Sequence, residues 1–213
     1  MALCWALPEL QRQALIFSLG PPRSEGMLEL KKKQLKIQIW GHVAASSSTA
    51  LIPVPGLGAA VDLAQITAFK IFAEFQLGID SSRLEKLAIP LNMTKEEYFD
   101  RILQNIGGST ERKILRGLMY GMPILDIVKM TAGLGISLAV TEATEEALKW
   151  GGWLTLGITT AIAAALSGTV MYAVLNTLLG LQYKFAVECI KFNENFVEEQ
   201  MQTVNEKFER IEI

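Results

Sequence analysis

The sequence has few of the residues from which metal and redox chemistry are built. Two cysteines, Cys4 and Cys189, stand near opposite ends of its 213 residues without CxxC spacing, and His42 is the sole histidine. Zinc sites need several Cys or His ligands at short spacings, and that pattern is missing. Unpaired thiols in a reducing compartment are expected. A lone His with no Cys, Asp or second His at helical spacing reads as a hydrogen-bonded structural residue. Positive charge is not in excess either, with 20 Lys+Arg against 22 Asp+Glu and a net charge of -2. A phosphate-backbone partner normally draws on a basic surplus, so nucleic acid is not an expected partner. Residues 1–7 are apolar but short, lack a basic start and run into Pro8 and Glu9, which is not the pattern of a secretory leader. Ala2 stands where N-myristoylation requires glycine.

Catalytic signatures are missing in the same way. There is no G-x-x-x-x-G-K-[ST] phosphate loop, and Gly107-Gly108-Ser109 resembles one only superficially, so it is read as a linker. No nucleophile–base arrangement or pair of carboxylates is spaced for acid–base work. Asp62 has no carboxylate or His at i+3 or i+4. It reads as an acid near a helix start, where the helix dipole favours it by about 0.3 to 1 kcal/mol. No catalytic residue, metal ligand or cofactor site is assigned.

What is present is apolar and helical. Half of the residues are hydrophobic and a fifth are charged, enough for a sizeable core. No run of four or more residues alternates as a strand, so the expected fold is all-α, with central apolar helices wrapped by amphipathic ones in one domain over 1–213. The organising stretch is residues 50–78. Pro53 and Pro55 lack backbone donors and bias the residues before them towards extended geometry, so a helix arriving from Ile37 stops near Leu51. Gly56 and Gly58 permit a sharp reversal, and Pro53, Pro55, Gly56 and Gly58 form the expected hinge. A second helix from about Ala59 carries Val61, Ala64, Ile66, Ala68, Phe69, Phe72 and Phe75, apolar round most of its circumference until Gly78 closes it. Lys70 and Glu74, an i,i+4 pair, mark its expected wet strip.

In order, 1–22 is a linker-like segment with a short amphipathic helix over 7–19, and 24–78 is a helix, the hinge and a helix. In the first of these helices Leu28, Leu35, Ile39 and Trp40 form the apolar side, and Lys31, Lys32, Lys33 and Lys36 the solvated one. Residues 80–121 hold short polar helices, with capping-box spacing at Ser82-x-x-Glu85 and Thr94-x-x-Glu97. Residues 123–213 hold apolar helices and a long amphipathic one. The first is expected from Ile124 to about Leu148. The uncharged run 150–183 is long enough for a bilayer span, but its glycines and threonines favour close packing or a break. It divides into a helix over 154–166, a bend at Ser167-Gly168, and a helix from Thr169. On that last helix Leu178, Leu181, Phe185, Phe192 and Phe196 form one stripe, open to two readings: core packing, or a face towards a membrane or a partner. Val197, Met201, Val204, Phe208 and Ile211 continue it, rotated by one residue.

Several of these stretches converge on a family. ELKKKQLKIQIW, then ALIPVPGLGAAVDLAQITAFKIFAEFQLGID, then SRLEKLA resemble the helical region of the immunity-related, interferon-inducible GTPases, with a basic helix ending in Trp, a Pro-x-Pro-Gly-Leu turn, an Asp one turn later and a QLGID helix end. LPELQRQALIFSL resembles that family's linker leaving the GTPase domain, and LSGTVMYAVLNTLL a late small-residue helix. The family's phosphate, magnesium and guanine motifs (GKS or GKT, DxxG, NKxD or TKxD) are absent from this chain. The resemblance therefore implies a truncated, noncatalytic helical half, with GTP and magnesium belonging only to full-length relatives. It further implies a cytoplasmic, peripheral association with intracellular membranes and with GTPase domains of related proteins, or self-association, in cell-autonomous innate immunity. The alternative is a small integral membrane protein using 150–183, with or without 37–61, as spans.

Overall fold

The structure, a computed structural model, describes residues 9–49, 57–132 and 158–209. The fold is all-α, and no strand occurs among the described residues. The helices are α1 (Glu9–Ser18), α2 (Glu25–Thr49), α3 (Leu57–Leu77), α4 (Ser81–Ala88), α5 (Lys95–Asn105), α6 (Ser109–Met119), α7 (Ile124–Ala132) and α8 (Ile158–Glu209), with a 3-10 turn at Ile89–Leu91. The remainder of the expected 124–148 helix and residues 150–157 lie outside the described residues.

The long last helix is the axis. It runs unbroken for 52 residues, about 78 Å at 1.5 Å per residue, and packs against α2, α3, α5, α6 and α7. Met171, Val174, Leu175, Leu178, Leu179, Leu181, Phe185, Ala186 and Cys189 are its buried apolar side chains among the described residues, at the 3-to-4 spacing of a core-facing stripe. They meet Leu28, Leu35 and Ile39 of α2, Phe69 and Ala73 of α3, and Phe99 and Ile102 of α5 in one cluster. The Phe185 and Phe99 rings pack at a tilt of 41°, 4.9 Å between centroids.

The expected bend at Ser167-Gly168 is not there. Gly168 is buried, and a Cβ at that position would overlap the Ser47 hydroxyl and lie 3.3 Å from Val43 Cγ1. The glycine serves close approach of α8 to α2, not a break. Trp40 is not core; it is 61% exposed, with its ring 5.0 Å from that of Tyr172.

Gly78 closes α3 as expected and does so by a Schellman turn. Its φ is +72°. The Gly78 N–H donates to the Phe75 carbonyl at 3.2 Å, and the Ile79 N–H to that of Glu74 at 3.0 Å. Asp80 then caps α4, its side chain accepting from the Arg83 N–H. Ser82 is thus inside α4, and the Ser82/Glu85 box does not form. The Thr94/Glu97 box does. Both had the right spacing, but the turn at Gly78 delivers Asp80 to the cap position first. Helix α3 begins at Leu57, two residues earlier than expected, so Asp62 falls in its second turn and Gly58 is buried within its first. Pro53, Pro55 and Gly56 lie outside the described residues.

Gly78 also touches the α1–α2 connection: a Cβ there would lie 3.0 Å from Pro21 Cβ and 3.3 Å from Pro22 Cδ. A left-handed residue with a side chain costs about 1–2 kcal/mol, and the contact with Pro21 adds to it. Gly78→Ala is therefore expected to lower unfolding free energy by about 1–2 kcal/mol or more, read as a lower urea midpoint. An unchanged midpoint would show that this turn does not need glycine.

Candidate functional site

The residues marked as candidates by the sequence separate into buried and accessible groups. Leu178, Leu181 and Phe185 are core. Phe192 and Phe196 are half-buried and pack against that core from its edge, Phe192 standing edge-on to Tyr98 at 5.7 Å. The stripe packs mainly on α2 and the short helices as well as on α3. Beyond it, Val197 and Met201 are exposed.

His42 faces Gln65, with Nδ1 3.2 Å from Oε1, and stands edge-on to Phe69 at 5.5 Å. Cys189 is buried beneath Tyr98, and burial pushes its thiol up to about 12. Asn193 Nδ2 donates to the Tyr98 hydroxyl at 2.9 Å and to the Cys189 carbonyl at 2.7 Å. A protonated, enclosed thiol of this kind is a packing group, not a nucleophile. Among the described residues no group of three or more His, Cys, Asp or Glu is placed to hold a metal, and no helix is long and apolar enough to cross a membrane.

The polarity of α3 is the reverse of its sequence reading. Lys70 and Glu74 pair at 3.2 Å with only 18% and 19% of their side chains exposed, and Gln182 of α8 donates to the Lys70 carbonyl at 3.3 Å. The pair is tucked against α8. The outward strip is instead Ala60, Ala64, Thr67, Ala68, Ile71 and Phe75, with Ile71 58% and Phe75 65% exposed. A helix expected to be surrounded thus leaves an apolar face open, the kind of surface that marks a contact site.

The lysine run of α2 is divided in a similar way. Lys33 and Lys36 are solvated. Lys32 lies over the Tyr183 ring, 3.6 Å from its centroid, in a cation–π contact. Lys31 is 1% exposed. Its ammonium donates to the Leu19 carbonyl at 2.9 Å and to Gln76 Oε1 at 3.1 Å. Burial, with Arg83 nearby, lowers its pKa. Lys31 lines a cavity of about 340 Å³ together with Arg83, Lys86 and the exposed ring of Phe75. Sequence reading missed this corner, although a signal existed: Leu28, Lys31 and Leu35 share one helix face at 3-to-4 spacing, so Lys31 occupies a core position.

No protein-family model matches the chain, and no curated protein or solved structure matches it.

Glu74 gives this region a pH signature. Burial raises its pKa, and the opposing pull of Lys70 does not cancel the rise. For an acid bound more tightly to its proton in the folded state, the associated stability is complete below the unfolded value of 4.5 and is lost as pH rises through the higher folded value. Glu74→Gln is expected to remove that decline, flattening stability against pH just above 4.5 when urea midpoints are compared across it. Equal slopes in the two proteins would show that Glu74 is not desolvated.

Proposed function

We propose that this chain is a noncatalytic helical module, related to the helical half of the immunity-related, interferon-inducible GTPases. It works at the cytoplasmic surface of an intracellular membrane and docks GTPase domains of related proteins, or a second copy of itself, in cell-autonomous innate immunity. The lineage is supported by three stretches in register. The basic segment lies in α2, the Pro-Val-Pro-Gly-Leu segment leads into α3 and its QLGID end, and SRLEKLA lies in α4.

The observation that carries a peripheral surface contact is the outer face of α3. Ile71 and Phe75 are large apolar side chains held in the open by a helix whose other side is packed. A face of this kind enters the headgroup–acyl boundary with its axis parallel to the surface. The half-buried Phe192 and Phe196 pack against the core edge, Phe192 beside Tyr98 of α5.

Ile71→Glu with Phe75→Glu is expected to abolish flotation of the purified chain with anionic vesicles while melting temperature is kept, because both side chains already face solvent. Undiminished flotation would overturn the assignment of this face. Alkaline carbonate should release the chain from cell membranes, whereas retention would support the integral alternative.

The noncatalytic part of the reading rests on the missing phosphate-loop lysine and magnesium ligands. The chain is expected not to bind a fluorescent GTP analogue, and saturable binding competed by GTP would overturn that.

A further inference from the structure

The cavity beside Phe75 combines features that packing alone does not require. Lys31 is buried, yet its two acceptors, Leu19 O and Gln76 Oε1, are both neutral. An ammonium has three N–H bonds. The third has no acceptor, and no carboxylate pairs with the group, among the described side chains. A buried charge without a counter-ion is costly, and one that lines an open cavity can be compensated from outside the chain.

The other cations follow in order of exposure: Arg83 is half-buried, and Lys86 is exposed. The one acid lining the same cavity, Asp80, is engaged by its own helix, with Oδ1 accepting from the Arg83 backbone N–H at 3.2 Å. Ser82 adds a hydroxyl. Three cations at graded depth, with the single acid turned to a cap, form a site of net positive charge with an innermost donor unused.

We propose that this cavity binds a phosphate-type anion on a small headgroup, with Lys31 as the innermost donor and Arg83 and Lys86 closing over its oxygens. Charge-assisted bonds of this geometry are short and strong, and guanidinium suits phosphate oxygens in pairs. A volume of about 340 Å³ admits a phosphomonoester with part of its alcohol. The exposed Phe75 ring on the lining supplies an apolar neighbour to the anion, an arrangement that fits a lipid whose headgroup phosphate enters the cavity while its apolar part meets Phe75 and Ile71. The anion site stands on its own geometry; only its assignment to a lipid source rests on the membrane reading above.

The test uses the full chain with three probes: inorganic phosphate, a soluble inositol phosphate, and phosphatidylcholine vesicles with or without a phosphorylated inositol lipid. The Lys31 side-chain resonances should shift saturably with phosphate and more strongly with the inositol phosphate. Arg83→Gln with Lys86→Gln, two accessible positions, should weaken binding by about tenfold or more. Arg101→Gln with Lys113→Gln removes the same charge from exposed sites elsewhere and should leave it unchanged. No shift at Lys31, or equal weakening by both pairs, would overturn the site. If the soluble probes bind but vesicles do not, the anion site stands and the membrane reading fails. Flotation that survives Arg83→Gln with Lys86→Gln would keep the membrane reading and remove the cavity from it.

Discussion

Two long helices lie so close that a side chain added at one position would have to displace a side chain of the other helix. Gly168 of α8 faces Ser47 and Val43 of α2, and towards the other end of the shared seam Lys32 lies over Tyr183. Between these points Leu35 and Ile39 of α2 join Met171, Val174, Leu175, Leu178 and Leu179 of α8 in the buried cluster. The other helices depend on that pair. Helix α3 packs on both, while α5, α6 and α7 lie along α8, joined at the surface by Lys184–Glu111 at 2.9 Å and Arg116–Asp100 at 2.7 Å. These ion pairs add little by themselves; the positions of α2, α3, α5, α6 and α7 are set by the apolar stripe of α8.

Much of this architecture was readable because helical periodicity and turn chemistry act locally. The 3-to-4 spacing through Leu178, Leu181 and Phe185, Gly78 as a helix stop and Thr94/Glu97 as a capping box each depend on neighbours within a few residues. The misreadings came from choices made by tertiary structure. Glycine permits either a bend or a close approach, and only the presence of Ser47 opposite Gly168 decides between them. A Lys–Glu pair is normally a solvated strip, but Lys70 and Glu74 satisfy one another, and Gln182 supplies a further polar neighbour. They can therefore face inward while Ile71 and Phe75 face out. In a run of three lysines nothing but helical phase singles out Lys31, and the charge of its neighbours hides it.

The accessible chemistry collects at one corner. There the Schellman turn at Gly78, the Pro21–Pro22 connection and the start of α4 meet, bringing a buried ammonium, a guanidinium and an exposed aromatic ring to a single cavity. None of these residues is unusual alone. Their juxtaposition depends on three separate chain segments, which explains why no contiguous motif announces it.

The bond from Gln182 to the Lys70 carbonyl joins groups 112 positions apart, and the α2–α8 seam spans a comparable stretch of sequence. Contacts of such long range are made late, after the entropy of closing a large loop has been overcome. On the ribosome, Leu28, Leu35 and Ile39 can meet α3 early, but their partners on α8 emerge only long after α2 itself. Until α8 arrives, the apolar face that α2 and α3 turn towards it stays uncovered, and chaperones and misassembly compete for the same surface.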